Sequence, residues 1–332
     1  LTARQADCGL DVARSDAALR AGNPIHTMFS HLTGMDLHQG ITLEATLDPK
    51  TQPFLKDHSL NGTPVLPGVM GIEGFSVAAR HIASVLASGK AGFDVTHLED
   101  IQFLTPFKFY RNEPRSITWR AQAVREERGL VVYVSLESDL TLVSKKVEHM
   151  LHFTGRVYLQ PSTEHPKMVI LQAPHWNGAQ TVHADDIYRL YFHGPAFQVL
   201  AGVQRSGKVL LGKLNSKRPT LMAGGKQDPS VPVLVELCFQ TAGLWEAGKT
   251  GVMALPRSIE SLTIYPHQVN GVPIYAEVSP SLEKGSLTFN ARVLDAKGHL
   301  YLEMKNYRTI RLPYTADEDL ITPLQVLMDN QE

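Results

Sequence analysis

A chain of 332 residues, 43% apolar and 20% charged, with 32 basic against 33 acidic side chains, has the make-up of an ordinary soluble protein large enough for two domains or one doubled domain. That balance argues against disorder, a coiled coil or a nucleic-acid binder, and no long apolar run or leader-like start points to membrane insertion or export. Two cysteines, Cys8 and Cys238, are too few for a disulfide framework or a zinc cage and suit a reducing, cytoplasmic interior.

Residues 1–35 show little apolar periodicity beyond a short helix around 11–21 and read as a linker arm; the start at Leu1 rather than Met suggests a segment of a longer polypeptide. From Ile41, ITLEATL alternates apolar and polar residues as a half-buried strand does. Pro67 then fits the first turn of a helix, and the stretch to Leu86 carries only Glu73, Arg80 and His81 as ionisable groups, which predicts a core helix. Strands are expected at 101–109, 115–125, 130–136 and 147–159, with Ile117, Trp119, Ala121 and Ala123 sharing one face. A first subdomain is therefore drawn at 36–160 and a linker at 161–183, where Pro174 and Asn177-Gly178 break the pattern.

The second subdomain, 184–313, repeats the order: strands at 197–214, a helix at 233–247, then strands at 259–265, 274–278, 286–294 and 299–312; residues 314–332 read as a C-terminal linker. VMGIEGFSVAA from Val69 aligns with PVLVELCFQTA from Pro232, placing Glu73 over Glu236 at an offset of 236 − 73 = 163. The fold class that follows is α+β, with an antiparallel sheet wrapped on one long helix in each half.

The segment DHSLNGTPVLPGVMGIEGF, residues 57–75, holds His58, Gly62 and Pro67 in the spacing HxxxGxxxxP, followed by Gly68 and Glu73. It resembles the active-site motif of polyketide synthase dehydratase domains, and its tail is also similar to the helix start of single-hot-dog fatty-acid dehydratases. LHFTGRV (151–157), YFHGPAFQVL (191–200) and VELCFQ (235–240) resemble that family's HxxGxV, YGPxFQ and DxxxQ landmarks in the same order. The resemblance implies a double hot-dog fold and a β-hydroxyacyl substrate delivered on the phosphopantetheine arm of an acyl carrier protein, with no other cofactor and no metal. It also implies neighbouring synthase domains and a homodimer. Two positions depart from the pattern: Glu236 stands where the family has aspartate, and His193 where it has the second tyrosine of YxYGP.

Dehydration needs a base for the α-proton, an acid for the departing hydroxyl and donors for an enolate-like oxygen. Burial in an apolar site keeps imidazole neutral and carboxyl protonated, so His58 suits the base and Glu236 the acid. Gly62 permits the turn after His58, and Gly68 at the helix start offers a backbone N–H to the thioester carbonyl. Gln240, four residues after Glu236, shares its helix face and can orient the carboxyl. Tyr191 and His193 are placed beside the substrate or against the central helix. The pseudo-equivalent of His58 is residue 58 + 163 = 221, a leucine, so Glu73 is expected to face a site without a base. The alternatives are a product-template cyclase or double-bond isomerase on the same fold, or a catalytically silent scaffold or docking module.

Other patterns carry less. GLWEAGKT (243–250) matches GxxxxGK[ST], but it runs out through a helix end rather than into a helix start, so it reads as a helix stop capped by Gly248, with Lys249 complementing the dipole. His26, His31 and His38 have no metal spacing, His149 and His152 point to opposite strand faces, and Cys238 is a packing residue. The Asn61-Gly62-Thr63 sequon is accidental without an export signal.

Overall fold

The computed structural model describes residues 11–13, 15–17, 27–36, 38–86, 92–127, 129–141, 147–162, 167–221, 229–266, 271–283 and 285–329; His26 and Cys8 lie outside them. The chain forms two compact units: one runs to Gln52 and resumes at Met70, and the other combines Pro53–Val69 with the chain beyond residue 166.

In the first unit, β1 (His31–Asp36) and β2 (Gly40–Leu47) form an antiparallel hairpin. Between these and the rest of the unit, the chain makes α1 (Pro53–Lys56), β3 (Ser59–Leu60) and β4 (Thr63–Pro64), which pack with the second unit. Next come α2 (Gly68–Leu86), β5 (Phe93–Phe103), β6 (Arg115–Glu126), β7 (Gly129–Thr141) and β8 (Val147–Pro161). The antiparallel order is β1-β2-β6-β7-β8-β5. Along β6 the period-two pattern operates as expected: Ile117, Trp119 and Ala121 are buried, while Arg120 and Gln122 face water. Trp119 packs edge-on against Phe75 of α2 at 5.8 Å and donates its indole N–H to the Met28 carbonyl at 3.1 Å. Helix and sheet meet closely because Gly74 has no side chain: a Cβ there would lie 2.2 Å from the Trp119 ring.

The second unit contains β9 (Val182–His183), α3 (Ala184–Leu190), β10 (Leu200–Ser206), β11 (Val209–Leu214) and α4 (Val231–Thr250), then β12 (Val252–Ile264), β13 (Ile274–Glu283), β14 (Ser286–Asp295), β15 (Leu300–Thr315) and α5 (Glu318–Asp329). Its order, β9-β10-β11-β13-β14-β15-β12, repeats that of the first unit with β9 added at the edge. In both, a hairpin leads into a three-strand meander, and the strand that follows the long helix closes on the last meander strand. The long helices also start in register with the repeat, at Gly68 and Val231, an offset of 231 − 68 = 163.

Three expectations are corrected. The linker arm drawn to residue 35 already contains most of β1, which pairs with β2. The C-terminal linker drawn from 314 contains α5, which buries Ile321, Leu324, Leu327 and Met328. Gly248 is not the cap of α4. The helix continues to Thr250, where Gly251 (φ 72°) takes the left-handed cap position and donates its N–H to the Ala247 carbonyl at 2.7 Å. Gly248 instead leaves room for α5, since a Cβ there would lie 2.8 Å from Met328. Lys249 reaches the Met328 carbonyl at 2.7 Å. The nucleotide-like motif 243–250 is therefore helical throughout.

Candidate active site

His58 sits at the mouth of a minimal hairpin. Asn61 (φ 51°) and Gly62 (φ 76°) form the two-residue turn that joins β3 to β4, with Leu60 opposite Thr63. Two positive φ values in sequence define the turn type for which Asn-Gly is the favoured pair, because its twist matches that of the strands. A Cβ on Gly62 would touch nothing, so the requirement there is conformational. The hairpin continues one step further: Val65 donates its N–H to the His58 carbonyl at 3.0 Å, and the His58 ring Nδ1 lies 2.8 Å from the Val65 carbonyl oxygen. A carbonyl can only accept, so Nδ1 carries the proton and Nε2 keeps its lone pair. Burial lowers the His58 pKa from 6.5 to about 4.

The segment after α3 docks on this hairpin. Gly194 donates its N–H to the Asp57 carbonyl at 2.8 Å, Ala196 donates to the Asp57 carboxylate at 2.8 Å, and His58 and His193 form a backbone bridge. Gly194 is required for this approach, since a Cβ there would lie 2.7 Å from the Asp57 carboxylate. The His58 ring is thereby surrounded by Phe192 at 5.1 Å, Phe197 at 5.3 Å and His193 at 5.5 Å between ring centres.

Glu236 comes from α4, which is buried almost continuously from Pro232 to Gly248. The helix carries a second buried carboxylate, and the two are treated differently. Glu246 receives the Arg311 guanidinium at 2.9 Å and the Thr309 hydroxyl at 2.6 Å. Glu236 receives no cation among the described residues: its Oε1 accepts from the Gln240 amide at 2.8 Å and lies 3.4 Å from His193 Nε2. Burial outweighs that amide bond and raises the Glu236 pKa from 4.5 to about 7.

Gln240 is fixed on every side. Its amide N–H₂ also donates to the Phe197 carbonyl at 2.8 Å, and its amide oxygen accepts from the Tyr188 hydroxyl at 2.8 Å. Tyr188 in turn accepts from the Leu200 N–H at 2.7 Å, and Tyr191 donates to the Gln240 carbonyl at 2.7 Å. Burial raises the pKa of both phenols, so they remain donors. Each polar arm of the Gln240 amide is occupied, which leaves its N–H₂ aimed at the carboxyl.

The structure therefore brings His58, His193, Glu236 and Gln240 together, with Tyr191 behind them. Pro67 is buried just before α2, and Gly68 is the first residue of that helix. Leu221 is buried and apolar. His152 lies elsewhere, bonded at both ring nitrogens to Ser138 and the Thr105 carbonyl. Cys238 is buried, which raises its thiol pKa and keeps it inert. Two contributors escape sequence reasoning, Asp57 and Tyr188. Adjacency to His58 and the three-residue step to Tyr191 were their only signals. An open groove of about 620 Å³ in the first unit is lined by Glu99, Arg125, Glu126, Glu127, Arg156 and Tyr158, a charged surface that offers nothing to an acyl chain.

Comparison with known proteins adds an independent line. Residues 26–135 match the family model "Polyketide synthase dehydratase domain", and residues 172–319 match "Polyketide synthase dehydratase N-terminal domain". The chain is 23% identical over 282 residues to the pikromycin polyketide synthase component PikAII of Streptomyces venezuelae, covering 82% of this chain and 7% of that protein. It is 23% identical over 279 residues to the mycoketide-CoA synthase of Mycobacterium tuberculosis, covering 82% of this chain and 6% of that protein. The chain thus spans a small part of the curated relatives it matches. Among solved structures, the dehydratase domain from the CurF module of curacin polyketide synthase superposes with a TM-score of 0.65 at 14% identity, covering 86% of this chain and 99% of that one. A trans-AT polyketide synthase dehydratase domain from Brevibacillus brevis gives 0.65 at 20% identity, covering 87% and 99%. The fold is a double hot dog.

Proposed function

The chain belongs to the polyketide synthase dehydratase family, and on that premise we propose that it removes water from a β-hydroxyacyl thioester carried on an acyl carrier protein. The observation that carries the reading is a neutral His58 imidazole with its Nε2 lone pair unspent, 5.5 Å between ring centres from His193, whose own Nε2 lies 3.4 Å from a buried carboxyl paired with no cation among the described residues. His58 Nε2 takes the α-proton, and the proton for the departing hydroxyl is drawn from Glu236. Gly68, at the N-terminus of α2, supplies one of the backbone N–H groups that a helix start leaves without intrahelical partners, suited to the thioester oxygen as it becomes enolate-like. Tyr188, Tyr191 and Gln240 hold the carboxyl in place.

The pKa order supports His58 as the base and Glu236 as the acid. With His58 at about 4 and Glu236 at about 7, the neutral imidazole and the protonated carboxyl coexist throughout the interval between them. The reverse pair, imidazolium with carboxylate, is correspondingly the minor form. The test is turnover of a β-hydroxybutyryl pantetheine thioester, followed by formation of the conjugated enoyl thioester. Wild type is expected to convert it, and His58→Ala to lose about 100- to 10,000-fold in kcat. A wild-type chain that leaves the substrate untouched, or an H58A variant at full rate, would remove the reading.

A further inference from the structure

His193 stands where the sequence departs from the family pattern, and its surroundings are unusual for a buried imidazole. Its side chain is only 6% exposed, and its Nδ1 has no hydrogen-bond partner among the described residues. Buried polar atoms are nearly always paired, and leaving one unpaired costs about 1–3 kcal/mol, so an orphan at such a position marks a place for a ligand atom. The other nitrogen, Nε2, lies 3.4 Å from Glu236 Oε1, a few tenths of an ångström longer than a hydrogen bond. Contacts of this kind commonly tighten when substrate binds. The ring is stacked on Phe192 at 4.4 Å and held at 5.1 Å from Tyr191, so it cannot turn freely.

The spacing to His58 is the second observation. The proton to be removed and the hydroxyl to be lost sit on adjacent carbons, about 1.5 Å apart. A base and an acid that each approach to about 3 Å must flank them at a separation of several ångströms. The two imidazoles, 5.5 Å apart between ring centres, fit that frame.

We propose that His193 is the immediate proton donor to the departing hydroxyl and that Glu236 resupplies it, so the acid of this site is a carboxyl–imidazole relay. This deepens the dehydration reading and rests on it. Before reaction, Glu236 is protonated and donates to Nε2, which places the imidazole proton on Nδ1. As His58 Nε2 takes the α-proton, the C–H pair becomes the new C=C bond and the C–O pair leaves with the hydroxyl oxygen. The Nδ1–H proton passes to that oxygen to complete water, while the Glu236 proton passes to Nε2. The relay ends as carboxylate and neutral imidazole with its proton on Nε2, and His58 ends as imidazolium. The groups facing the His193 ring are His58 from the hairpin, Tyr191 from its own segment and Glu236 from α4. Among the described residues, no side-chain cation joins them.

The experiment compares two substrates in wild type, His193→Phe and His58→Ala. One is the β-hydroxybutyryl pantetheine thioester; the other is its β-chloro analogue, whose chloride leaves without a proton. The expected result is that H193F loses about 100-fold or more in kcat on the hydroxy substrate yet stays within a few-fold of wild type on the chloro substrate, while H58A is impaired on both. The retained chloro activity also reports that H193F is folded with its base in place. Equal loss on both substrates would make His193 a positioning or packing residue and overturn the relay. So would an H193F variant that dehydrates at the wild-type rate, which would assign direct donation to Glu236. Failure of the dehydration reading shows elsewhere, as a wild type that does not convert the hydroxy substrate, and it takes the relay with it.

Discussion

At the scale of single residues, the site turns on the same burial acting in opposite directions on two acids. Desolvation disfavours charge, so it lowers the pKa of His58 to about 4 and raises that of Glu236 to about 7. The signs give a pH profile. On the proposed roles, protonation of His58 below about pH 4 removes the base, and loss of the Glu236 proton above about pH 7 removes the acid. The value of kcat/KM is therefore expected to be level between these limits and to fall about tenfold per unit on the alkaline side. Initial rates across that range check it; a rate still climbing above neutrality would contradict the assignment of Glu236 as the protonated partner. The contrast with Glu246, on the same helix and matched by Arg311, shows that the fold can supply a cation to a buried carboxylate, and at Glu236 none is supplied among the described residues.

At the scale of elements, small residues set how closely helix and sheet approach. The ring of Trp119 occupies the space a side chain at Gly74 would need. Gly74→Ala is expected to destabilise the first unit by about 1–3 kcal/mol, read as a lower denaturation midpoint at unchanged m-value. An unchanged midpoint would mean that the helix can slide without cost. Much of this level was legible in the sequence, because strand alternation and an apolar helix are periodic signals: the buried face of β6 and the start of α2 follow directly, while α4 begins two residues before its expected start at 233. So did the pairing of Glu236 with Gln240, which needs only a four-residue step on one helix face. What could not be read is what depends on through-space contact. Asp57 meets Ala196 across 139 positions, and no local pattern encodes that. The helix stop failed for a related reason. Gly248 and Gly251 are both plausible caps by composition, and α5, packed on Gly248, decides between them.

At the scale of the whole molecule, α5 is part of the second unit rather than a tail. Its Leu324 and Met328 close over Gly248, and the Met328 carbonyl accepts from both Lys249 and Arg205. Ending the chain after Pro313 is expected to expose that face of α4 and to lower the melting temperature by several degrees, measured by calorimetry or circular dichroism. An unaltered melting curve would return the segment to linker status.

The hairpin bearing His58 is encoded before the first repeat is complete, yet it folds with the second unit. Genetic fission between the repeats would therefore separate the proposed proton acceptor from the unit it folds with. On the proposed mechanism neither half would work alone, and the seventeen-codon loan of residues 53–69 would tie the two repeats of the gene together.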